Sequence, residues 1–217
     1  MKERIERVIT ALEKNNMQGI YVPCIIDITR VVENLLFEGA LITAGGSVSL
    51  KESGVWELIN SGKYNFLDRN REGITPEEKQ EVFRQTIGCD FFLCSSNAVT
   101  EKGELVNVDG FANRISAIAF GPRRVIMVVG ANKIVKDTQE AFLRIKKIAA
   151  PRNSVRLGID NPCAKLGHCV SLLKNSNPDI TDGCNCERRI CADYLVSGRQ
   201  QIKDRITVII CGEALGY

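Results

Sequence analysis

The residues most able to do chemistry fall into three groups. The first is a run of thiols: five of the nine cysteines lie between Cys163 and Cys191, spaced Cys163-x5-Cys169 and then Cys184-x-Cys186-x4-Cys191. Four thiolates can close a tetrahedral zinc site or hold an iron–sulfur cluster. The expected ligands are Cys163, Cys169, Cys191 and one of Cys184 or Cys186, with Cys186 the first choice. The spacing lacks the Cys-x2-Cys pair of common metal modules, so free thiols or a reversible redox pair stay open. His168, the one histidine, sits beside Cys169 and reads as a bystander.

The second group is a polar stretch from Ser95 to Arg114. Ala98-Val99-Thr100 and Leu105-Val106 flank Glu101-Lys102-Gly103-Glu104, which reads as a hairpin with a glycine turn. Asn97, Asn107, Asn113 and Arg114 surround it, offering directed hydrogen bonds and a guanidinium suited to a carboxylate or phosphate. Glu101 and Asp109 are the candidate acid–base residues. The plainer alternative is that Asn and Asp stabilise turns and that Arg114 pairs with Asp109.

The third group is Gly45-Gly46-Ser47-Val48-Ser49. Glycines admit close approach of a ligand to backbone N–H groups, and Ser47 and Ser49 add hydroxyls. An ordinary strand–helix turn with a serine cap is the alternative.

These groups need a frame to hold them. Ile5, Val8, Ile9 and Leu12, and again Ile28, Val31, Val32, Leu35 and Leu36, repeat with helical spacing. Thr75-Pro76-Glu77-Glu78 predicts a capped helix start, with Val82, Phe83 and Ile87 facing inward. A further helix is expected over 138–149, closed by Pro151. Strands are expected at 40–43, 65–67, 89–94, 124–129 and 206–210. Alternating strands and helices predict an α/β fold with a mostly parallel sheet and helices on both faces. Ligands in such folds bind at the carboxyl ends of strands. The expected division is an α/β domain over 1–160 and 192–217, with a small cysteine-rich lobe, 161–191, inserted before the last strand. Cys89, Cys94 and Cys211 read as packing residues beside apolar strands.

Several motifs together resemble the lactate-utilisation (LUD) domain family. They are Gly45-Gly46-Ser47-x-Ser49-Leu50-Lys51-Glu52, Asn97-Ala98-Val99-Thr100-Glu101-x-Gly103-x-Leu105-Val106-Asn107-x-Asp109-Gly110, Asn113-Arg114, Phe120-Gly121-Pro122, Asn132-Lys133-Ile134-Val135 and the ending Cys211-Gly212-Glu213-x-Leu215-Gly216-Tyr217. The resemblance spans nearly the whole chain. It implies a fold of the NagB/RpiA/CoA-transferase-like group and a link to lactate oxidation beside iron–sulfur protein subunits. Pro162 to Cys169 is similar to a clustered-cysteine run of the family. The Asn97–Gly110 pattern more distantly resembles the acidic loop of sugar-phosphate isomerases such as methylthioribose-phosphate isomerase. Those enzymes place an aspartate where this chain has Asn97, and an amide does not titrate in the useful range. Glu101 or Asp109 would have to take that role.

The functional expectation is a protein binding a small anionic metabolite, phosphate or carboxylate, as a subunit of a lactate-oxidising electron-transfer system. The alternatives are a non-catalytic ligand-binding or regulatory module and a scaffold subunit of the same fold, so whether the chain is an enzyme stays open. The expected cofactor is an iron–sulfur cluster or zinc at the cysteine lobe.

A net charge of +3 over 217 residues argues against nucleic-acid binding, which calls for a concentrated basic stripe. Arg123-Arg124, Lys146-Lys147 and Arg188-Arg189 are short pairs expected on solvated faces. The longest apolar runs are strand-length, so no membrane span is expected. The basic, helical start lacks the apolar core of a signal peptide, which makes the expected location cytoplasmic. Homodimerisation is expected from base rates alone.

Overall fold

The computed structural model describes residues 1–217. Ten strands run in chain order: β1 (Gln18–Val22), β2 (Leu41–Ala44), β3 (Asn65–Phe66), β4 (Phe91–Cys94), β5 (Ala98–Thr100), β6 (Leu105–Asp109), β7 (Arg124–Gly130), β8 (Ile134–Val135), β9 (Asp193–Ser197) and β10 (Ile206–Cys211). The helices are α1 (Lys2–Lys14), α2 (Ile28–Leu35), α3 (Val48–Glu52), α4 (Val55–Ile59), α5 (Pro76–Gln85), α6 (Asn113–Ala119), α7 (Thr138–Arg144), α8 (Ala150–Arg156) and α9 (Pro162–Leu166).

Six strands form one sheet in the order β1-β10-β7-β4-β2-β3, and every pairing in it is parallel. Buried on both faces, its inner strands are continuous apolar runs such as Val125–Val129 and Ile206–Ile210. The two faces separate cleanly. Phe92, Cys94, Val125 and Met127 meet Ile5, Val8 and Leu12 of α1 on one side. Phe91, Leu93, Ile126 and Val128 meet α2, α3 and α4 on the other. Helical and strand periodicities therefore agree about where the core lies. No helix is long and apolar enough to cross a membrane.

A second sheet, β8-β5-β6-β9, stands beside the first. Its centre is the expected hairpin: β5 pairs antiparallel with β6, and Gly103 turns between them at φ +76°. A Cβ at Gly103 would lie 2.6 Å from the α1 backbone at Ala11 and Leu12, so only glycine lets the turn pack there.

Three local expectations need correction. Ile87 does not point inward; it is half exposed, because α5 ends at Gln85 and Thr86–Gly88 tightens into a 3₁₀ turn. Pro151 does not close the helix that begins at Thr138. Residues Ile145–Ala149 adopt π-helical winding, and Pro151 then sits in the first turn of α8, where no N–H is required of it. Lys146 is buried rather than solvated, and its ammonium donates to the Asp182 carbonyl. The segment 161–191 contains α9 and a 3₁₀ turn at Val170–Leu173 and joins neither sheet. It is tied to the long helix through the Cys169 N–H, which donates to the Lys146 carbonyl.

Candidate functional site

The carboxyl ends of β2, β4 and β7 lead directly into Gly45, Ser95 and the Ala131–Lys133 turn. These segments converge on a cleft of about 460 Å³. Of the expected ligand-binding residues, Gly45, Gly46, Ser47, Asn97, Asn113 and Arg114 line it, as does Asp109. The glycine loop and Arg114 are in direct contact: a Cβ on Gly45 would meet Arg114 Cδ at 3.4 Å. Ser47 caps α3, its hydroxyl accepting from the Leu50 N–H at 3.3 Å. Because α3 is only five residues long, its dipole adds little to the site.

Arg114 is the organising side chain. Its Nε donates to Asp109 Oδ1 at 2.9 Å. Nη1 donates to Asn107 Oδ1 at 2.6 Å and to the Ser95 carbonyl at 3.2 Å. Nη2 donates to Asn97 Oδ1 and to the Val108 carbonyl, both at 2.8 Å. All five guanidinium N–H groups are thus engaged within the protein. Arg114 locks β4, β6 and the start of α6 together instead of offering a free fork. Asp109 is equally committed, since Oδ2 accepts the backbone N–H groups of Arg114 and Ile115. Asn97 and Asn107 complete the network: the Asn97 N–H donates to Asn107 Oδ1, and the Val108 N–H donates to Asn97 Oδ1. Asn107 Nδ2 is left buried without a partner.

Three expected residues do not line the cleft: Asn107 lies fully buried beneath it, accepting from Arg114. Glu101 is outside the cleft, at the hairpin turn, paired with Arg4 of α1 at 2.7 Å. Ser49 is buried behind the glycine loop, where its hydroxyl donates to the Leu215 carbonyl at 3.3 Å and accepts from Lys133 Nζ at 2.9 Å.

The cleft also contains basic side chains that the sequence did not assign to a binding site: Arg69, Lys133, Arg156 and the Arg188–Arg189 pair, with only Asp109 and Glu187 among acids on the same wall. Arg188 is exposed, as expected of a solvated face, while Arg189 is half-buried, and both line the cleft. Arg69 is the outstanding member. It is half-buried beside the glycine loop, with its Nη2 3.1 Å from where a Gly46 Cβ would be. Its guanidinium lies over the Phe83 ring at 5.5 Å, its Nε has no hydrogen-bond partner, and it belongs to no ion pair. Burial lowers its pKa, with Arg156 and Arg114 adding to the effect and Asp109 opposing it. Lys133 is almost fully buried, and desolvation together with Arg144 and Arg114 lowers its pKa to about 7. Tyr217 closes one side, its hydroxyl accepting from Arg156 Nε at 2.9 Å and donating to Asn153 Oδ1 at 3.1 Å.

The thiols gather at a second place. Cys163, Cys169, Cys184 and Cys191 border one small cavity of about 20 Å³, together with Phe142, Ile145, Ile180 and Tyr194. Cys186 is not on that wall; it interacts with Cys184, which raises its pKa to about 11. No three His, Cys, Asp or Glu side chains converge as a preformed metal site. His168 Nδ1 pairs with the Cys169 carbonyl at 3.1 Å and stays off the cavity wall. Cys89, Cys94 and Cys211 are buried in the core, where burial raises their thiol pKa values.

A family model described as LUD domain matches residues 5–211. Among solved structures, a DUF162 family protein from Deinococcus radiodurans aligns over 97% of this chain and 98% of its own, at 12% identity and a TM-score of 0.54. That likeness concerns the fold. The alpha subunit of a malonate decarboxylase from Acinetobacter baumannii is 16% identical over 75% of this chain and 36% of its own, with a TM-score of 0.35, too low to support an argument. No curated protein matches.

Proposed function

This chain belongs to the LUD-domain family, and on that premise we propose that its cleft binds a small anionic metabolite bearing a phosphate or carboxylate. The observation that carries the reading is Arg69, a half-buried guanidinium with an orphaned Nε and no ion-pair partner. A buried charge without a partner is costly, and an anion seated against it offsets that cost. The open Gly45-Gly46 backbone leaves room for such a guest, and Lys133 and Arg156 add positive charge around it. Arg114, Asp109, Asn97 and Asn107 act in this reading as positioning residues that hold the floor of the cleft. Titration calorimetry with inorganic phosphate, lactate and pyruvate tests it. Arg69→Ala should weaken the bound anion by about 1.5–3 kcal/mol, roughly tenfold or more. Equal affinity in wild type and variant would move the site elsewhere.

The carboxylates favour a module without conventional acid–base catalysis. Asp109 is spent on Arg114 and two backbone amides, and Glu101 faces α1.

The cysteine cavity supports a further component, a thiolate-bound metal centre. An apolar wall offering four sulfurs suits a thiophilic ion or an iron–sulfur cluster. Its volume holds about one water-sized occupant, and no three of the thiols converge as they stand, so a single ion requires the side chains to turn inward and a cluster needs the wall to open. Cys163, Cys169, Cys184 and Cys191 would hold it, with Cys184 in place of Cys186. A cluster would supply one-electron chemistry and support the role of a subunit in a lactate-oxidising system; zinc would supply structural closure. Metal analysis and absorption spectra of anaerobically purified protein test the centre. Cys184→Ser should lose the metal and Cys186→Ser should keep it. Metal-free wild type, or the reverse order of the variants, would overturn the assignment.

A further inference from the structure

Lys133 is the one amine on the cleft wall, and it can act as a nucleophile without first losing an ion-pair partner. It lies in the turn after β7, 3% exposed, and no carboxylate is paired with it. Its Nζ donates to Ser49 Oγ at 2.9 Å and to Ser95 Oγ at 3.0 Å. A neutral amine has two N–H donors and one lone pair. The two serines take both donors, so the lone pair is unspent on a wall of the cleft.

We propose that the Lys133 amine attacks the carbonyl carbon of a 2-oxo acid bound in the cleft, forming an imine, while Arg69 holds the acid's carboxylate. The proposal rests on the anion-binding reading above. The amine lone pair makes the C–N bond and the carbonyl π bond opens to a carbinolamine. Both amine hydrogens leave with the carbonyl oxygen as water, and nothing is oxidised or reduced. Ser95, on the cleft wall beside the amine, can relay the proton to the departing oxygen.

The surroundings keep the amine neutral enough to react. Desolvation is the largest influence, and Arg144 and Arg114 disfavour the ammonium, whereas Glu52 and Cys94 favour it. The pKa of about 7 means that the reactive form grows as pH rises through neutrality.

The test is reductive trapping of the full-length protein with pyruvate and borohydride, followed by peptide mass spectrometry, beside calorimetry of pyruvate binding without reductant. The expected result is one adduct per chain, on Lys133, at least about tenfold over any other lysine. It should rise from pH 6 to pH 8 with an inflection at about 7. Lys133→Arg should abolish it, and Arg69→Ala should reduce it about tenfold. Mapping on the wild type requires no variant to fold. Pyruvate that binds without forming an adduct would overturn the imine and leave the anion site standing. Neither binding nor adduct would remove both.

Discussion

At the scale of the residue, Arg114 shows how a side chain can be correctly placed in a site and yet have a different task from the obvious one. The segment holding Asn97, Asn107, Asp109 and Arg114 is recognisable in the sequence because it has far more directed polar groups than a surface hairpin needs. What the sequence does not reveal is that these groups satisfy one another. Arg114 and Asp109 are 15% and 9% exposed, so the pair is nearly dry. Removing one member leaves the other charge buried and unpaired, which costs about 3–5 kcal/mol. Arg114→Ala should therefore appear as a loss of that size in chemical denaturation, with anion binding lost only because the floor has collapsed. Unchanged stability with weakened binding would restore it to direct contact with the ligand. Arg69 escaped notice for the opposite reason. It follows β3, a two-residue strand, in a loop with no motif, and only the folded chain brings it against Gly46.

At the scale of the element, most boundary signals were legible, and Pro151 and Ile87 were the exceptions. The capping box at Thr75 is present, with Glu78 Oε2 accepting the Thr75 N–H at 2.8 Å. The hairpin at β5–β6 also forms as its glycine turn implied. Pro151 misled because a proline ends a helix only if its missing N–H and its ring are not accommodated, and the π-helical turn before it does that. Tight turns also link distant elements. A Cβ on Gly130 would collide with the Leu215 backbone N and Asn132 Oδ1, so the end of β7 fits the chain's last residues only as glycine. Gly130→Ala should displace Leu215–Tyr217, and with them the hydroxyl that orients Arg156. The expected outcome is a loss of about 1–3 kcal/mol in stability, with weaker phosphate binding in calorimetry. Unaltered affinity would take Tyr217 out of the site.

At the scale of the whole molecule, a net charge of +3 concealed a concentration of like charge. Six basic side chains from five separate stretches meet at one cleft, an arrangement invisible to any window along the chain. The same holds for the thiols: their clustering anticipates a shared cavity but left Cys184 and Cys186 as alternatives, and only the folded chain puts Cys184 on its wall. The two sites share one piece of chain. Glu187, Arg188, Arg189 and Ile190 wall the cleft, and the adjoining Cys191 faces the cavity. Arg189 binds this piece together by donating to the carbonyls of Thr181, Cys184 and Cys191. If the proposed metal centre is filled, stripping it with a chelator should thus loosen the cleft wall, lowering both the melting temperature and phosphate affinity. A chelated protein with unchanged phosphate binding would show that the sites are independent.

The π-helical turn at Ile145–Ala149 sets the phase between these two places. Ahead of it the helix turns Phe142 toward the thiols, with Ile145 at its first residue; beyond it Asn153 and Arg156 reach the cleft. An α-helix advances about 100° per residue. Excising a single amino acid from that turn would restore regular winding and leave the faces on either side where they are, so Arg156 should keep its contact with Tyr217. The same deletion outside the turn would swing everything downstream by that angle. The wide turn thus absorbs one surplus residue and keeps the two hollows in register along a single rod.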